Sequence, residues 1–62
     1  MISEFDKNNV GQIIRGHGDW FGAKLLRLIR DADDINIEKL REAFPGHVWA
    51  YETWRYGGQD DE

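Results

Sequence analysis

The stretch that decides the fold is VGQIIRGHGDWFGAKLLRLIRDA, from Val10 to Ala32. Its apolar residues Val10, Ile13, Ile14, Phe21, Leu25, Leu28 and Ala32 recur at helical spacing. At about 100° per residue they fall within one arc of roughly 120°. The phase carries through Gly16-His17-Gly18, which predicts one long N-terminal helix over residues 7–32. A kink at 16–18 is the expected departure, because each glycine costs about 1 kcal/mol inside a helix. The alternative is a break there, with Asp19 capping a separate helix. Asp6 reads as the N-cap of the long helix, with Phe5 and Val10 at the positions of a hydrophobic staple.

The same wheel places Gly11, Gly18 and Gly22 on one line, continued by Ile29. A stripe without side chains lets a neighbouring helix approach closely. His17 falls at the centre of the apolar arc, between Ile14 and Phe21. That position predicts a buried, neutral imidazole at a helix contact.

Working outward, Asp31-Ala32-Asp33-Asp34 opposes the negative end of a helix and reads as a turn. Asn36 is the expected N-cap of a second helix over 37–44, with Ile37, Leu40, Ala43 and Phe44 inward. Pro45 opens a third helix over 45–56, since proline suits a first turn. Val48, Tyr51 and either Trp54 or Arg55 share one of its faces. Gly57 sits where a left-handed residue closes a helix. No alternating run is long enough for a strand. The expectation is an all-α domain over 1–57, a long N-terminal helix packed against a short helical hairpin. Residues 58–62 read as a flexible acidic tail.

A chain of 62 residues buries only about 60% of its unfolded surface, so its own core is marginal. Without cysteine it has neither a disulfide nor a cysteine-based zinc site. Self-association, as a homo-oligomer, is the expected remedy. Twelve acids against eight bases give a net charge of −4. Three of those acids are Asp60, Asp61 and Glu62, so the body is nearly neutral. That balance argues against binding driven by bulk phosphate neutralisation. No apolar run reaches membrane-spanning length, and the N-terminus lacks a signal pattern. A cytoplasmic location is the expectation.

The sequence offers little chemistry for catalysis. Ser3 is its only serine, in the N-terminal segment, and no nucleophile stands at a known spacing from His17. His47 falls in the first turn of the last helix and reads as a surface or helix-start residue. The acids at 31, 33 and 34 lack the twelve-residue pattern of a calcium loop. No enzyme activity, cofactor or metal is therefore expected. Lys24, Arg27 and Arg30, with Arg15 nearby, spread over the back of the first helix and could contact phosphates. The aromatic residues are more telling. Trp49, Tyr51, Trp54 and Tyr56 crowd into eight positions, and Trp20 lies at the edge of the apolar arc. Too many rings for one small core point to Trp20, Trp49, Trp54 and Tyr56 as a partner-binding set.

Two stretches carry a resemblance. They are His17-Gly18-Asp19-Trp20-Phe21 through Leu25-Leu26-Arg27-Leu28-Ile29, and Lys39-Leu40-Arg41-x-x-Phe44-Pro45 through Val48-x-Ala50-Tyr51-Glu52-x-Trp54. Together they resemble a group of very short, uncharacterised proteins carried by bacteriophages and prophages, over about residues 10–56. The resemblance implies an accessory product acting in the bacterial cytoplasm. By analogy of class and size, it implies a protein that binds and inhibits a host protein, such as a defence nuclease. The alternative is a small dimeric nucleic-acid-binding regulator that uses the Lys24, Arg27, Arg30 stripe.

Overall fold

The computed structural model describes residues 2–57, and these form helices and connections with no strand. The helices are α1 (Glu4–Asn8), α2 (Val10–Ile14), α3 (Phe21–Asp31), α4 (Asp34–Ala43) and α5 (Pro45–Gly57). The all-α expectation therefore holds. The single helix over 7–32 does not, and the proposed tail at 58–62 lies outside the described residues.

The break has a local cause. Gly16 has φ of 114° and Gly18 φ of 94°, conformations that side chains disfavour and a helix cannot contain. Gly16 closes α2. Its amide donates to the Ile13 carbonyl at 2.9 Å, and the His17 amide donates to the Gln12 carbonyl at 3.1 Å. This pair of bonds is a Schellman closure. A second interruption falls at Asn9, φ −127°, whose side-chain Nδ2 donates to the Phe5 carbonyl at 2.8 Å. The start is also earlier than expected. Ser3, not Asp6, caps α1 by accepting from the Asp6 amide at 3.1 Å.

The shared helical phase across Gly16–Gly18 is coincidental. The buried face of α3 carries Ala23, Leu25, Leu26 and Ile29, whereas Phe21 and Leu28 are 67% and 54% exposed. The helix enters with its own rotation once the chain has turned. The glycine stripe dissolves for the same reason. Gly11 is in α2, Gly18 in the connection and Gly22 in the first turn of α3. The Trp20 ring lies over Gly18, and the Asp6 carboxylate lies against Gly22, so both sites are too tight for a Cβ.

Ten apolar residues from α2, α3 and α5 make the core, with Ile13, Leu26, Ile29 and Val48 fully buried. α4 adds no buried residue and rests on the core through the half-buried Ile37, Leu40 and the adjoining Phe44. Ala43, expected inward, is exposed. Asp33, not Asn36, caps α4, accepting from the Asn36 amide at 2.8 Å. Arg41 fastens α4 to α5 by donating to both carboxylate oxygens of Glu52, at 2.7 and 2.9 Å. The last helix begins at Pro45 as expected. It runs through Gly57, which is not among the glycines with positive φ.

The carbonyls at the end of α2 and in the connection after it are met from across the fold. Arg27 Nη1 donates to the carbonyls of Ile13 at 2.8 Å and His17 at 3.3 Å, and Nη2 donates to that of Gly18 at 2.6 Å. Arg30 Nη1 donates to the Ile14 carbonyl at 2.8 Å. Cations are favoured at this end of a helix, and the flat guanidinium reaches several acceptors at once. Arg27→Met keeps the aliphatic stem and removes three such bonds. Hydrogen bonds to a charged donor are worth about 1.5–3 kcal/mol each when buried. With water replacing part of the loss at this half-buried site, a net cost of about 2 kcal/mol is expected. Urea unfolding followed by circular dichroism measures it, with Lys24→Met, at an exposed position, as the near-neutral reference.

Candidate functional site

The two histidines trade the places expected of them. His17 is exposed in the connection between α2 and α3, beside Trp20 with ring centroids 6.0 Å apart. His47 is buried near Asp6 and packs edge-on against Phe44 at 6.1 Å. Burial pushes the His47 imidazole below its ordinary range, opposed by the Asp6 charge. Asp6 is itself buried, with Oδ1 accepting from Trp20 Nε1 at 3.0 Å. Among the described residues, no group of three or more histidine or acidic side chains could hold a metal ion.

The aromatic residues separate onto different surfaces. On α5, Tyr51 turns into the core, Trp49 stays 56% exposed and Trp54 is half-buried. Trp49 and Trp54 line a cleft of about 490 Å³ between α5 and the α1–α2 segment. Lys7, Gly11, Arg15 and Thr53 also line it, adding two cations and small or neutral groups. Among the described residues, no aspartate or glutamate lines it. Lys7 is held by Glu4 at 3.2 Å. The Arg15 side chain makes no hydrogen bond or ion pair among the described residues.

A second surface lies at the start of α3. Phe5 meets Trp20 edge-on at 5.9 Å, and Phe21 meets Phe44 at 5.9 Å. Phe5 and Phe21 are 53% and 67% exposed. Trp20 is less free than the sequence suggests, since its indole is tied to Asp6 and its ring covers Gly18. Tyr56 is separate again. It is exposed beside the Arg55 guanidinium, 5.7 Å above its ring, and lines a shallow hollow with Arg30, Glu38, Arg41 and Glu52. The structure thus brings Trp49 and Trp54 together and leaves Trp20 and Tyr56 on other faces.

The basic residues do not form an open stripe. Arg27 is spent on the carbonyls of Ile13, His17 and Gly18. Arg30 is divided between Ile14 and Asp31, with Nε 2.8 Å from the Asp31 carboxylate. Only Lys24 of the three lacks such a partner among the described residues. Sequence reasoning missed Phe5 and Phe21 as surface rings, because the continuous helix assigned Phe21 to the core and Phe5 to a staple. It also missed the pairing of Lys7 and Arg15 with the tryptophans, which depends on how α5 crosses α2. No family model matches the chain, and neither a curated protein nor a solved structure matches it.

His47 makes stability pH-dependent in a defined direction. Its folded pKa lies below the ordinary 6.5 of the unfolded chain. The contribution is therefore complete above 6.5 and declines as pH falls from there toward the folded pKa. The Glu52 and Asp31 carboxyls, held below their ordinary 4.5 and 3.8 by Arg41 and Arg30, act only in a more acidic window. Denaturant midpoints measured across both windows should show two declines, and His47→Gln should remove only the upper one.

Proposed function

We propose that this chain is a small, non-enzymatic protein-binding module of the bacteriophage accessory kind that its sequence resembles. It docks on a bacterial host protein and modulates or inhibits it. The observation that carries this reading is the surplus of large apolar side chains outside a complete core. Phe5, Trp20, Phe21 and Trp49 remain 37–67% exposed while ten other residues fill the interior. Single exposed apolar residues are ordinary, but rings grouped on one face, as Phe5 with Trp20 at the start of α3 and Trp49 with Trp54 along one cleft, mark contact sites. Aromatic anchors carry a disproportionate share of binding energy at protein interfaces.

Self-association belongs to the same reading, because these faces can also meet a second copy. The nucleic-acid alternative depends on Lys24, Arg27 and Arg30 acting as one stripe. With both arginines engaged by backbone carbonyls, that alternative keeps only Lys24.

Co-purification of a tagged copy from bacterial cells, with and without nuclease, tests the proposal. One dominant host protein at fixed stoichiometry, resistant to nuclease, is the expected result. Combined Phe21→Ala and Trp49→Ala should abolish the complex, lowering affinity by about two orders of magnitude or more, while the helical circular-dichroism signal stays unchanged. A complex indifferent to both substitutions would sink the proposal. Recovery that disappears with nuclease would favour the regulator.

A further inference from the structure

The cleft between α5 and the α1–α2 segment differs from the rest of the molecule in its charge. The chain as a whole carries twelve acids and eight bases. Among the described residues the cleft wall carries Lys7 and Arg15 and no acid. Its volume, about 490 Å³, lies in the range of sites that enclose a small ligand or a few side chains. Trp49 and Trp54 supply apolar surface, while Gln12 and Thr53 supply neutral hydrogen-bonding groups to the same wall.

We infer that this cleft receives an acidic segment of the partner protein, with at least one apolar side chain resting on Trp49 and Trp54. The inference rests on the protein-binding reading and names the chemistry of the bound segment. Arg15 is the principal counter-charge, because no internal acid engages it among the described residues. Lys7 is the second. Its exposed pairing with Glu4, at 3.2 Å, is of the kind worth little in water and can be exchanged for an incoming carboxylate. The small Gly11 and Ala50 leave room for backbone to enter. Charge complementarity of this sort sets specificity and association rate, with the aromatic contact supplying affinity.

Selection from a random peptide library displayed against the intact protein tests this directly. The expected peptides combine aspartate or glutamate with leucine, phenylalanine or tryptophan. In nuclear magnetic resonance titrations they should shift the amides of Gly11, Gln12 and Thr53 and the indole N–H signals of Trp49 and Trp54. Arg15→Glu and Trp49→Ala should each weaken binding by about tenfold or more, and added salt should weaken it further. Arg15 and Trp49 are exposed, so both variants should retain the fold, which the same spectra verify. Enrichment of basic or uncharged peptides, or binding indifferent to Arg15→Glu, would overturn the inference. So would a single-stranded oligonucleotide that occupies the cleft in preference to the peptides. A homodimer dissociated by these variants would make the occupant a second copy and likewise overturn the assignment to a partner. A host complex that survives Arg15→Glu and Trp49→Ala but is lost with Phe21→Ala would overturn the cleft alone. The protein-binding reading would then stand on the other face.

Discussion

The structure depends on how a five-residue helix is ended. α2 is too short to satisfy its own last carbonyls, and the Schellman closure at Gly16 and His17 settles only some of them. The remainder point at α3, where Arg27 and Arg30 stand one turn apart and reach back across the connection. Those bonds set the distance and rotation between α2 and α3. That setting brings Ile13 and Ile14 against Leu26 and Ile29, around which α5 closes. A short helix that would be marginal alone becomes part of a three-helix core because its polar end is completed by another element.

The opposite end of the same connection is handled with the opposite charge. Trp20 precedes α3 and offers its first turn no side-chain hydrogen bond. Asp6 instead lies against Gly22 in that turn and accepts from the Trp20 indole. A carboxylate is favoured beside the positive end of a helix. The cations therefore serve the end of α2, and the anion serves the start of α3. Residues that look like surface charge in the sequence are used internally. Exposed charges such as Lys24 and Lys39 share the surface with the exposed rings of Phe5, Phe21 and Trp49.

Much of the fold was legible. Pro45 marked the start of α5, Val48 and Tyr51 marked its inner face, and the turn near residue 33 followed from the acids. The failure at Gly16–Gly18 has a physical origin. The apolar spacing continues by coincidence across a break that the glycines make, so periodicity alone does not reveal it. Gly16 at a helix end and the polar Gly18-Asp19 that follows were local signals for termination. The site was less legible. Trp49 and Trp54 were identifiable from crowding. Their pairing with Lys7 and Arg15 spans about forty residues of sequence and depends on the crossing of two helices. Asp6 and His47 exchanged surface for interior because each is placed by Gly22, a contact with no periodic signature.

The attachment of α4 has its own consequence. This helix has no fully buried residue, and a half-buried arginine–carboxylate pair joins it to α5. Regions with few buried contacts open at lower free energy than the domain as a whole. The amides of α4 should accordingly exchange with solvent through local opening, while those of α3 wait for the entire domain to unfold. On this expectation α4, held to α5 by the Arg41–Glu52 pair and to the core by Ile37 and Leu40, opens before the α2–α3–α5 unit does. When α4 lifts, it uncovers the side of Tyr51 and Ile29 that Ile37 and Arg41 otherwise shield.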